Sequence, residues 1–106
     1  MLPKEIMEAI RHRPRDYLMR VEGAGEKETF IRDDKHSTPV YAEFHDADAK
    51  VEGMDRKGID FSVLSVTPVV FFYWLSAEAG LAAARIMNDG IARMVAARPD
   101  RLRGMA

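Results

Sequence analysis

Residues 53 to 68, GMDRKGIDFSVLSVTP, constrain the fold more than any other stretch of this chain. Within a few turns they read as a helix end, a glycine stop, a buried strand and a proline exit. Arg56 and Lys57 suit the negative end of a helix dipole. Gly58 stands where a left-handed residue closes a helix. Phe61, Val63, Leu64 and Val66 then form a short, nearly continuous apolar run. Such a run predicts a strand covered on both faces, as in a parallel sheet. Pro68 ends the strand because it has no N–H to give a ladder.

Beyond Pro68 the chain returns to make a second strand. After an aromatic loop, Phe71-Phe72-Tyr73-Trp74, Ser76 is placed to cap a long helix with Glu78 in its first turn. The spacing predicts a helix over 77–97, with an apolar stripe of Ala79, Ala83, Ile86, Met87, Gly90 and Met94. Gly90 is costly inside a helix, so its expected use is a close approach to the strands. Arg85, Asp89 and Arg93 fall off the middle of the stripe and are expected to pair in solvent. Arg98-Pro99-Asp100 ends the helix, and Leu102 to Ala106 begins another strand. Strand 60–67, helix 77–97 and strand 102–106 form a βαβ unit, for which a right-handed crossover is expected. Two parallel strands do not make a domain, because such a sheet needs cover on both faces. The expectation is therefore a chain cut in its second strand and incomplete at its start.

Upstream, Pro3 opens a short helix with Glu5 near its positive end. Ile6, Met7 and Ile10 supply its apolar side, and Pro14 is expected to close it after Arg11, His12 and Arg13. Residues 17–32 alternate as a hairpin about Gly23-Ala24-Gly25. Arg32 to Pro39 is polar and reads as a loop. Asp46 is a natural N-cap for the helix leading into the organising stretch, whose buried face is Ala47, Val51 and Met54. The division is thus a helix over 1–14, a hairpin and loop insertion over 15–45, and an αβαβ segment over 46–106.

Composition narrows the function classes. The net charge is −1 over 106 residues, with acids and bases interspersed, which is unlike the basic footprint of a nucleic-acid binder. The absence of cysteine excludes disulfides and thiolate metal sites and is compatible with a cytoplasmic protein. No run approaches the ~20 apolar residues of a membrane span. No basic, then apolar, leader opens the chain.

Met54-Asp55, Gly58-Ile59-Asp60, Val63-Leu64-Ser65-Val66-Thr67-Pro68, Ala84-Arg85, Asn88-Asp89 and Arg98-Pro99-Asp100-Arg101 follow one another in an order that resembles the amidohydrolase-related family. The likeness is nearest to its aminocarboxymuconate-semialdehyde decarboxylase branch. It includes Pro39-Val40-Tyr41 and the aromatic loop, and covers roughly residues 38 to 106. The resemblance implies an α/β fold, here an N-terminal fragment of a (β/α)8 TIM barrel with a small β-hairpin insertion near its mouth. It also implies decarboxylation or hydrolysis of a carboxylated small molecule; a cytoplasmic location and assembly as a homo-oligomer are further expectations. The implied cofactor is one divalent metal, zinc foremost. The family's His-x-His pair is expected just before Met1, and its later ligands beyond Ala106, so no metal ligand and no catalytic residue is assigned here. Thr38 stands where the branch often has a carboxylate-holding arginine, and His45 where it has a tryptophan. Both departures tell against the semialdehyde as substrate.

The residues themselves offer few rivals. His12 and His36 read as capping or solvated groups and His45 as a packing residue. The three show no ligand spacing, and a catalytic zinc site wants about three protein ligands. Asp46 and Asp48 are explained as a cap and a first-turn acid. In a barrel the site lies at the C-terminal ends of the strands. Asp60, at the other end, is structural on that count. Thr67, Tyr73 and Trp74 are the candidates for substrate contact, with cover for the insertion as the alternative for the two aromatics. Phe71, Phe72, Met87 and Met94 read as packing. Two other readings stand: a small non-enzymatic interaction module that pairs an open sheet edge or an apolar helix face with a partner, and a degenerate remnant with no role of its own.

Overall fold

The computed structural model describes residues 1–23, 28–32 and 36–105. The elements in chain order are α1 (Lys4–His12), α2 (Pro14–Tyr17), β1 (Met19–Glu22), β2 (Thr29–Arg32), β3 (His36–Pro39), α3 (Ala47–Lys57), β4 (Ser62–Leu64), α4 (Ala77–Ala97) and β5 (Leu102–Gly104). Single 3₁₀ turns at Ala42–Phe44 and Pro68–Val70 link them. β1, β2 and β3 form an antiparallel sheet in that order, and β4 pairs with β5 in parallel. No barrel is closed among the described residues. None of their helices is long and apolar enough to cross a membrane.

α1 forms where Pro3 precedes it, and buries Ile6, Met7 and Ile10. Pro14 does not simply close it. Arg13 ends α1 by donating its N–H to the Ala9 carbonyl, and Pro14 takes the first position of a new turn, where its missing N–H costs nothing. Tyr17, expected in the hairpin, belongs to this turn, and Leu18 leaves it in the left-handed region at φ 54°. The hairpin then runs as β1 and β2, with Val21 opposite Phe30. Ala24 and Gly25 of its expected turn lie outside the described residues.

The polar segment before Pro39 is not all loop. Residues 36–39 add a third strand to the sheet, with Phe30 opposite Thr38 and Arg32 opposite His36. Its sequence, His-Ser-Thr-Pro, carries no apolar alternation, and it is recruited by the unpaired backbone edge of β2. Pro39, last in the strand, sits where a missing donor is tolerated.

Three helix boundaries match the expectation. Asp46 accepts from the N–H groups of Asp48 and Ala49, a cap of about 1 kcal/mol. Gly58, at φ 72°, closes α3. Ser76 Oγ likewise accepts from Ala79 N–H at the start of α4.

α4 is the common wall of two cores. Its first half carries Ala83 and Met87 against α1, the three-stranded sheet, Val70 and Phe72. Its second half carries Ile91 and Met94 against Ala47, Val51, Met54, Leu64 and Leu102. Ile91 lies outside the expected stripe. Gly90, between the halves, does allow a close approach, but to α1 rather than to the strands: a Cβ there would overlap Pro3 and Glu5. Arg93 is not left to solvent either. It reaches α1 and donates to Glu5 Oε1 at 2.5 Å and to the His45 carbonyl at 3.0 Å.

β4 departs from the expectation of cover on both faces. Leu64 is buried against the helices, whereas Phe61 and Val63, on the opposite face, are 63% and 59% exposed. Met105, beyond β5, is 60% exposed, and the Arg103 guanidinium lies over the Phe61 ring, 6.0 Å from its centroid.

Candidate functional site at the end of the parallel strands

The C-terminal end of β4 is built by three segments. Met1 lies beside it: the Met1 ammonium donates to the Ser65 carbonyl at 2.7 Å, and Thr67 N–H donates to the Met1 carbonyl at 3.1 Å. These two bonds make a parallel bridge across Val66. Half-burial lowers the pKa of the ammonium from its ordinary 8.0, and the charge of Lys50 lowers it further. Thr67 then turns the chain, its carbonyl accepting from Val70 N–H at 3.1 Å.

Thr67 Oγ1 is buried and has no hydrogen-bond partner among the described residues. A buried hydroxyl without a partner costs about 1–3 kcal/mol. Its acceptor and donor capacity is thus unused at the strand end where a barrel would hold its substrate.

The aromatic loop splits into an inner and an outer pair. Phe72 is buried, and its ring lies 5.5 Å from both Tyr17 and Trp74. Trp74 is half-buried and anchored: its Nε1–H donates to the Tyr17 carbonyl at 3.0 Å, and the Arg32 guanidinium lies 4.8 Å above its ring. Those contacts tie the loop to α2 and to β2 of the three-stranded sheet. Tyr73 is 86% exposed and meets Phe71 with ring centroids 5.5 Å apart. The structure therefore brings Thr67, Tyr73 and Trp74 into one connection between β4 and α4, with Tyr73 free to touch a ligand and Trp74 committed to packing.

The other polar candidates fall elsewhere. His12 is exposed at the end of α1. His45 is half-buried at the rim of a cleft of about 230 Å³, shared with Lys4, Asp46, Asp48 and Arg93. Structural roles already occupy three of the charged groups there, since Asp46 caps α3, Arg93 binds Glu5 and Asp48 faces Arg98. Asp60, at the N-terminal end of β4, offers its carbonyl to Arg101 Nε at 2.6 Å. Among the described residues no three His, Asp or Glu side chains come together to hold a metal ion. These donors do not fit the divalent metal that the resemblance implies.

One feature of the site carries no signal in the sequence: the left-handed backbone of Phe72, at φ 55°. No glycine or asparagine marks it, and four consecutive aromatics carry no turn signal.

Comparison with known proteins agrees with the resemblance. The chain is 32% identical over 79 residues to 2-amino-3-carboxymuconate-6-semialdehyde decarboxylase of Dictyostelium discoideum. The match takes in 74% of this chain and 22% of that protein. This chain thus spans about a fifth of the length of the curated relative it matches. No family model matches.

Proposed function

We propose that this chain is one portion of a larger metal-dependent enzyme of the amidohydrolase-related family, a carboxy-lyase or hydrolase acting on a carboxylated small molecule. The 79-residue likeness to a decarboxylase carries the reading. The parallel pair of β4 and β5 joined through α4 is the unit from which a (β/α)8 barrel is made, and it supports the same reading. In such an enzyme the catalytic groups come from several strand ends. This portion contributes two strands, and its share is contact and shape: Thr67 offers a hydroxyl, Tyr73 an exposed ring, and Trp74 holds the loop against the sheet. Among the described residues no three His, Asp or Glu side chains gather to hold a metal, and on this reading the ligands and the proton-moving groups come from other strands of the barrel.

The test compares the 106-residue chain with the longest product encoded in frame with it, by metal analysis and by carbon dioxide release from a panel of carboxylated substrates. The longer product is expected to hold about one divalent ion per chain and to turn over, the short chain to do neither. A longer product without metal and without turnover would overturn the reading.

The bare face of β4 and β5 favours a second reading, an interaction module that covers Phe61, Val63 and Met105 with a partner chain. Light scattering separates the two. A monodisperse, cooperatively melting monomer removes this second reading. An oligomer dispersed by Val63→Lys supports it.

A further inference from the structure

We propose that Phe72 is a positioning residue, whose left-handed backbone turns Tyr73 outward at the C-terminal end of β4. The inference rests on the reading that this loop shapes a substrate site, and goes on to say which residue sets its shape.

Four aromatic side chains in a row would ordinarily bury as much of themselves as they could. Here they alternate. Phe72 and Trp74 go in, while Phe71 and Tyr73 stay out, Tyr73 almost completely. The reversal happens at Phe72, at φ 55°. An L-residue with a bulky side chain resists that region, because its Cβ crowds the following carbonyl. Such a conformation persists only where its surroundings over-determine it. Five contacts do so here. The Phe72 ring packs on Tyr17 and on Trp74. The Phe72 carbonyl accepts from Leu75 N–H at 3.1 Å. Trp74 is itself fixed from two sides, by the Tyr17 carbonyl and the Arg32 guanidinium. The strained residue is thus clamped by α2, β2 and the loop's own tryptophan. The backbone leaving it carries Tyr73 away from the core.

The rival account is that Tyr73 is exposed merely because a phenol prefers water, whatever Phe72 does. Tyrosine nitration by tetranitromethane on the 106-residue chain separates the two, read residue by residue from peptide masses. Tyr41 serves as the internal reference because it is exposed and lies on another segment. In the unaltered chain Tyr73 is expected to react fastest and Tyr17 slowest. Phe72→Val, whose β-branch opposes the left-handed region, is expected to lower the Tyr73 to Tyr41 ratio by about fivefold. Phe72→Tyr, which keeps the ring, should restore it. Phe72→Leu keeps much of the volume but loses both ring contacts, and it should show the same fall. It decides the matter if Phe72→Val does not fold. Emission from Trp74, the single tryptophan, reports whether the loop remains packed. A ratio unchanged in Phe72→Leu, or equal reactivity of all three tyrosines in the unaltered chain, would overturn the proposal. The substrate reading fails separately: Tyr73→Ala in the longer product would leave KM unchanged while the nitration pattern held.

Discussion

The two halves of α4 face cores of opposite character. On the first half, Ala83 and Met87 close a core with α1 on one side and the three-stranded sheet on the other. On the second half, Ile91 and Met94 cover only one face of β4 and β5, and the other face is open. One amphipathic helix thus serves a finished core and an unfinished one. The difference lies in topology: antiparallel strands need one covered face, parallel ones need two. The core around the three-stranded sheet has the cover it needs, whereas the parallel pair keeps one face bare.

Size-matched truncations give the largest effects and test this contrast directly. Ile6 and Leu64 are both fully buried, one in each core. Ile6→Ala is expected to cost about 3–4 kcal/mol and Leu64→Ala about 2 kcal/mol, since a core with an open wall collapses more easily onto a cavity. Urea midpoints at constant slope measure both. Equal losses would break the comparison and show that the second core is as tightly held as the first.

A smaller effect is expected at the seam. Gly90→Ala would gain about 1 kcal/mol of helix propensity in an exposed helix. Here the new methyl meets Pro3 and Glu5, and overpacking costs about 1–3 kcal/mol. A net loss of about 1 kcal/mol is expected, with the Glu5–Arg93 contact weakened. A gain in stability would mean that α1 does not cross α4 at Gly90.

The smallest effect concerns Met1, which lies against Val66, a residue that packs on both cores. Its folded pKa is below 8.0. Between the folded value and 8.0 the unfolded chain therefore binds more protons, so stability rises with pH across that window and levels off above it. N-terminal acetylation keeps an N–H for the Ser65 carbonyl and removes the charge. The melting temperature of the acetylated chain should lose that part of the slope on the acid side of pH 8.0, as measured against the free amine in parallel scans. Identical slopes would mean that the Met1 ammonium is fully hydrated.

Local chemistry determined much of the fold. Asp46, Gly58 and Ser76 end helices through bonds and torsions within a few residues of themselves, so their type and position reveal them. The stripe of α4 is periodic and the apolar run of β4 is nearly continuous, and both patterns are visible without knowledge of partners. The parallel pairing of β4 with β5 followed from the long helix between them. The position of Thr67, Tyr73 and Trp74 after a strand end was legible for the same reason.

Only the tertiary structure decided the rest, because each remaining feature depends on a partner distant in sequence. His36 to Pro39 become a strand because β2 has a backbone edge to fill, which no side-chain pattern announces. Arg93 looks like a solvent residue on its own helix, until α1 brings Glu5 beside it. Gly90 announces a close approach but not what approaches. Phe72 takes a backbone conformation that its own type opposes, since Tyr17, Trp74 and Arg32 together outweigh a local preference. Sequence determined the short-range elements by capping, propensity and period. Long-range packing decided which faces they share, which stay bare, and which aromatic ring stands in solvent.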